Sequence, residues 1–127
     1  MKGVVRVKVH STESVERVKQ AVRNVLGEIK LHKSDDGRGS ILKGDLEKME
    51  DLLPIRQLIA RMRIRDAAFS FLTQSSTDDR LSFGLNKQAA YAGRASFHSA
   101  DVSVLGPIQF QITGEIENIV GFLCGKF

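Results

Sequence analysis

Polar and apolar residues alternate from Val4 to His10, with Val5, Val7 and Val9 on one side and Val4, Arg6, Lys8 and His10 on the other. A period of two predicts a half-buried strand. Next, Ser11 and Thr12 offer a hydroxyl cap, and Glu13 and Glu16 supply acids to a first turn. Val15, Val18, Val22, Val25 and Leu26 then recur at helical spacing until Gly27, so an amphipathic helix follows the strand. Ile29 and Leu31 alternate with Lys30 and His32, the turn-prone stretch Ser34 to Gly39 contains Asp36-Gly37, and Ile41 and Leu42 follow. That pattern predicts a hairpin with an Asp-Gly turn.

From Asp45 to Leu72 the apolar positions return at helical spacing: Leu46, Met49, Leu52 and Leu53, then Leu58, Ile59 and Met62, then Ala67, Ala68, Phe71 and Leu72. Pro54 lacks an N–H and its ring clashes with the preceding turn, so at least two helical pieces are expected. Strands resume with Leu81, Phe83 and Leu85, continue at Ala95 and Phe97, and finish with Ile108, Phe110 and Ile112. A last helix from about Glu115 would bury Ile116, Ile119, Val120 and Leu123. Strand runs separated by helices predict the α+β class: two layers, a mixed, antiparallel-rich sheet with helices packed on one face. No repeat or linker interrupts the pattern, and residues 1–127 are expected to form a single domain.

Composition narrows the function classes. The chain has 127 residues, with 19 Lys+Arg against 15 Asp+Glu, a formal charge of +4. Cys124 is the only cysteine, so no intrachain disulfide can form and a reducing, cytoplasmic setting is expected. No stretch approaches the roughly 20 apolar residues of a membrane span, and the amino terminus lacks a signal-peptide core. There is no GxSxG elbow, no GxxxxGK[ST] loop and no GxGxxG fingerprint, so no enzyme, catalytic residue or cofactor is expected. Three histidines on separate strands without close ligand pairs give no metal site. Cys124 reads as a small core residue, and Asp35 and Asp36 read as turn residues.

Two charge features carry the functional reading. If each strand turns its apolar side to the helices, Arg6, Lys8, His10, Lys30, His32, Arg94, Ser96, His98, Gln109 and Gln111 collect on the other face. Such a face suits an acidic backbone such as RNA. It also suits plain solvation, since charged outward residues discourage strands from sticking edge to edge. No outward strand position holds an aromatic ring, so bases should not stack on the sheet. The second feature is Arg56, Arg61, Arg63 and Arg65, preceded by the acids Asp45, Glu47, Glu50 and Asp51. Acids first and bases last is what a helix dipole favours. Arginine without lysine also suits phosphate, whose oxygens the guanidinium fork grips in pairs. Arg61 and Arg65 lie one turn apart only if the helix is unbroken between them.

The stretch Leu85, Asn86, Lys87, Gln88, Ala89, Ala90, Tyr91, Ala92, Gly93, followed by Ser96 and Phe97 and by Leu105, Gly106, Pro107 and Ile108, resembles the signature of an uncharacterised archaeal family of proteins described as RNA-binding. Arg63, Ile64, Asp66 and Ala67 resemble the start of that family's second long helix, and the likeness extends over nearly the whole chain. The resemblance implies a fold similar to the large-subunit ribosomal protein five, without an assigned substrate, cofactor or catalytic residue. Arg65 and Phe69 depart from the pattern, which has an aliphatic residue and an arginine at those places. By itself the signature reads as a compact Ala-rich turn returning through Gly93, with Asn86, Lys87 and Gln88 as a polar corner open to a ligand.

These features together lead to an expected non-catalytic RNA-binding module that contacts the phosphate backbone of structured RNA through Arg6, Lys8, Lys30, Arg56, Arg61, Arg63, Arg65, Lys87 and Arg94. The alternative is a protein-interaction or homo-oligomerisation module, such as a homodimer, whose basic residues only keep it soluble. A charge of +4 on 127 residues is modest for a dedicated nucleic-acid binder.

Overall fold

Strand β1 (Lys2–His10) carries the expected alternation, burying Val5, Val7 and Val9 and exposing Lys2 and Arg6. The computed structural model describes residues 1–35, 37–99 and 106–125. After β1 come helix α1 (Val15–Leu26) and strands β2 (His32–Asp35) and β3 (Gly39–Leu46). A 3-10 turn at Met49–Leu52 leads into helices α2 (Leu53–Met62) and α3 (Arg65–Gln74). Strand β4 (Arg80–Leu85), helix α4 (Lys87–Tyr91), the short strand β5 (Phe97–His98), strand β6 (Ile108–Thr113) and helix α5 (Ile116–Leu123) complete the order.

The six strands form one sheet in the order β2-β3-β1-β6-β4-β5. Every described pair is antiparallel, so the α+β class is as expected but the sheet is antiparallel throughout rather than mixed. One face holds Val5, Val7, Val9, Leu42, Leu46, Leu81, Phe83, Leu85, Ile108, Phe110 and Ile112, all buried. Against it pack Val18, Val22 and Val25 of α1, Ile55, Leu58 and Ile59 of α2, Leu72 of α3, and Ile119, Val120 and Leu123 of α5. Burial of each such side chain contributes about 1.5–3 kcal/mol. Phe83 and Phe110 sit directly opposite one another on β4 and β6, their rings stacked at 4.7 Å.

Three departures from the expected elements have local causes. Residues 29–31 do not form a strand, and pairing begins only at His32. Ile29 and Leu31 instead lie on the buried side of β3 over Gly44, where a Cβ would stand 3.0 Å from Ile29 Cδ1 and 3.1 Å from the Lys30 carbonyl. Strand β3 then runs on to Leu46, and Asp45 pairs with Val4 of β1. The inward positions Leu42, Gly44 and Leu46 keep a period of two, which the missing side chain at Gly44 conceals.

The central helical region divides at Pro54 as expected, with the 3-10 turn giving way to α2, but it also divides at a place the sequence reading did not foresee. Pro54 opens α2, where its missing N–H costs nothing. A second break falls at Arg63, which takes the left-handed conformation with φ 59°. Arg61 and Arg65 therefore belong to different helices, and the acids preceding the arginines lie partly on a strand. An unbroken acid-to-base helix does not exist. Finally, Lys87–Tyr91 is a short helix rather than a turn. Asn86 caps it by accepting from the Ala89 N–H at 2.9 Å, and Gly93 (φ 79°) follows.

Candidate nucleic-acid interface

The helices all bury side chains in the core on one side of the sheet, and the other side is left to the strands' polar residues. Register fixes which residues share that open face, because directly opposed residues in antiparallel strands point the same way. One row crosses the whole sheet: His32 of β2, Lys43 of β3, Arg6 of β1, Gln109 of β6, Gly84 of β4 and His98 of β5. Lys8 faces Ile41 and Ser34 in the next row, and Val4 faces Gln111 and Asp45 in the row on the other side. Lys2 and Arg80 flank Thr113. The fixed charges on the described face are thus Lys2, Arg6, Lys8, Lys43 and Arg80, with Asp45 the carboxylate among them. Between β2, β3, β1 and β6 the surface forms a hollow of about 410 Å³, lined by Val4, Arg6, Ser34, Ile41, Lys43, Gln109 and Gln111.

Arg6 and Lys43 are directly opposed like charges, and neither is in an ion pair among the described residues. Such a pair costs stability, and nothing in the packing requires it, since both side chains are exposed. The hollow also presents the amides of Gln109 and Gln111, which can donate and accept. Together these groups suit an anion that also carries hydrogen-bonding edges.

Not all the cations foreseen from sequence lie here. Arg6 and Lys8 do. Lys30 lies on the segment that crosses the core side of β3, and Arg94 lies on the loop before β5, so neither joins the open face. Lys2, Lys43 and Arg80 are the cations that sequence reading missed, because β1 and β4 begin before Val4 and Leu81 and β3 runs on past Leu42. Lys87 is occupied elsewhere. Its ammonium donates to the Lys8 carbonyl and reaches Glu13 Oε1 at 3.0 Å, and its side chain is only 10% exposed. This is an internal clamp between α4 and the end of β1.

The arginines divide as well. The Arg56 guanidinium lies 4.8 Å from the Phe122 ring centroid, a cation–π contact that ties α2 to α5. Arg65 runs beside Gly125 after α5, where a Cβ would stand 3.1 Å from its Nε. Arg61 and Arg63 are exposed near the end of α2. Arg94 approaches the same corner, since the next residue, Ala95, donates its N–H to Met62 Sδ at 3.2 Å. This corner belongs to the helical layer, so the basic residues form two separate zones. Arg63 holds a conformation that costs a residue with a side chain about 1 kcal/mol. Arg63→Gly is expected to raise stability by up to about 1 kcal/mol in urea denaturation. A loss of stability would mean that the guanidinium makes a contact worth more than the strain.

Among the described residues no group of three or more His, Cys, Asp or Glu side chains could hold a metal ion, and no helix is long and apolar enough to cross a membrane. Cys124, at the end of α5, is buried.

An antiparallel sheet with helices on one face and a cationic, amide-bearing surface on the other defines a two-layer α+β module. The chain belongs to the family described as RNA binding, whose match spans residues 4–113. Among archaeal relatives, it is 31% identical over 125 residues to a UPF0201 protein of Metallosphaera sedula, covering 97% of this chain and 87% of the relative. A UPF0201 protein of Pyrobaculum arsenaticum is 37% identical over 114 residues, covering 88% and 80% of the two chains. The crystal structure of a UPF0201 protein from Methanococcus jannaschii superposes with a TM-score of 0.84 at 27% identity, covering 98% of this chain and 92% of that one. These matches establish the archaeal family that the Asn86 to Gly93 signature suggested. They do not address the likeness to the ribosomal protein.

Proposed function

We propose that the protein is a non-catalytic module that holds the sugar-phosphate backbone of structured RNA on the open face of its sheet. The observation that carries this reading is the Arg6–Lys43 pair, two opposed cations without a carboxylate partner at the centre of a hollow. A polyanion crossing that row relieves their repulsion, so the energy lost in folding is recovered on binding. Lys2, Lys8 and Arg80 extend the contact along the face, and Gln111 offers its amide to ribose hydroxyls or base edges. The corner of Arg61, Arg63 and Arg94 provides a second contact for an RNA large enough to bend around the sheet edge. Contacts of this kind position a duplex or hairpin by shape and read little sequence.

Binding of a labelled RNA hairpin, followed by fluorescence anisotropy as potassium chloride is raised, tests the proposal. Neutralisation of about four phosphates gives a log–log slope of roughly −3 to −4. An affinity insensitive to salt, or no hairpin binding at low salt, would remove the reading. Sedimentation at several concentrations separates it from the rival: a tight dimer without RNA affinity points to self-assembly.

A further inference from the structure

The residues of the Asn86 to Gly93 signature lie away from the open sheet face and are held with unusual care for so short a helix. Asn86 caps its start. Asn24 of α1 donates from Nδ2 to the carbonyls of Ala90 and Tyr91, at 3.0 Å each, at its end. Lys87 anchors it to Lys8 and Glu13. Glu13 is in turn held by the His10 N–H at 2.9 Å. The distant side chains Asn24 and Glu13 and the Lys8 carbonyl thus fix α4 in place, yet its most conspicuous side chain, Tyr91, is left 48% exposed.

Tyr91 lines a groove of about 400 Å³ between α1 and α4, together with Thr12, Arg17, Val18, Ala21 and Gln88. The Lys87–Glu13 pair also borders it, with both charges already satisfied by each other. Its volume lies toward the small end of ligand sites, which run from about 300 to 1,000 Å³. Its chemistry suits a base with its phosphate alongside: an aromatic ring and apolar walls, an amide at Gln88, and a guanidinium at Arg17. The groove shares no lining residue with the hollow on the sheet, but it begins where β1 ends. Arg6, Lys8 and His10 follow one another along the open side of β1, and the His10 imidazole Nδ1 lies 3.2 Å from Thr12 Oγ1 at the rim.

We propose that this groove receives one unpaired base of the bound RNA, stacked on Tyr91 with Gln88 at its edge, while Arg17 holds the adjoining phosphate. The proposal rests on the RNA reading above and adds what it lacks: a preference for a bulged or looped nucleotide. The sheet carries no ring for stacking, whereas Tyr91 offers one whose backbone is already fixed, so little entropy is lost when a base lands on it.

Tyr91 is the chain's only tyrosine and there is no tryptophan, so intrinsic fluorescence reports this groove alone. Three probes are titrated against the full chain: a fully paired RNA hairpin, the same hairpin with one bulged nucleotide, and adenosine 5′-monophosphate. The bulged hairpin is expected to bind on the order of tenfold more tightly than the paired one and to quench the emission saturably. Tyr91→Ala should erase that preference while leaving the affinity for the paired hairpin intact, and Tyr91→Phe should keep it. Equal affinities for the two hairpins with unchanged emission would overturn the groove proposal and leave the sheet-face reading standing. Saturable quenching by the mononucleotide without binding of either hairpin would keep the groove as a nucleotide site and remove the RNA reading. Silence from all three probes removes both.

Discussion

Replacing Arg6 and Lys43 together by glutamate is expected to weaken binding of an RNA hairpin at low salt on the order of 100-fold or more, while the folded protein remains as stable as before. The two effects separate because the side chains are exposed and opposed. Reversing both exchanges one repulsive pair for another, so folding is unchanged, but an attractive surface becomes a repulsive one for phosphate. Lys43→Glu alone is the sharper control. It creates an opposite-charge cross-strand pair with Arg6, so the chain should gain about 0.2–1 kcal/mol while losing RNA affinity. Urea denaturation and anisotropy on the same preparations give both numbers. If Lys43→Glu binds RNA as the parent does, the open face is not the contact surface, and the corner of Arg61, Arg63 and Arg94 becomes the place to look.

Lys87→Met is expected to do the opposite. Removing one partner of a buried pair costs about 3–5 kcal/mol; here Glu13 keeps 24% exposure, so water recovers part of the loss and about 2–3 kcal/mol is expected. The melting temperature should fall by about 10 °C. Adding Glu13→Gln should restore part of the loss, because the uncompensated charge is then gone, and the double-mutant cycle should reveal coupling between the two sites. The affinity of the folded variant for a fully paired RNA hairpin and its salt slope should stay as in the parent. A salt slope reduced by about one would instead place Lys87 among the phosphate contacts.

Much of the architecture was legible in the residues because it rests on local period. The valines of β1, the helical spacing of α1 ended by Gly27, the alternation in β4 and β6, and the apolar stripe of α5 all give elements close to those expected. The failures fall where one residue hides the period. Gly44 has no side chain to mark the inward position between Leu42 and Leu46, so β3 was ended early, and Lys43 was lost from the open face with it. Pro54 marks the expected boundary, but the second break at Arg63 has no proline or glycine to announce it. The clamp at Lys87 was illegible for another reason: its partners Lys8 and Glu13 lie more than 70 positions away, and only the fold brings them together. The groove beside Tyr91 depends on that same closure of α4 on α1.

The row through Arg6 and Lys43 does not stay open across the full width of the sheet. Toward β5, Pro107 sits over Gly84 so closely that a Cβ there would come within 2.7 Å of its ring. In that row the charged floor therefore ends at Gln109, while no described helix covers it toward β2. For the RNA proposed to lie there, the two ends of the row are not equivalent: one meets a proline wall and the other opens to the β2 margin.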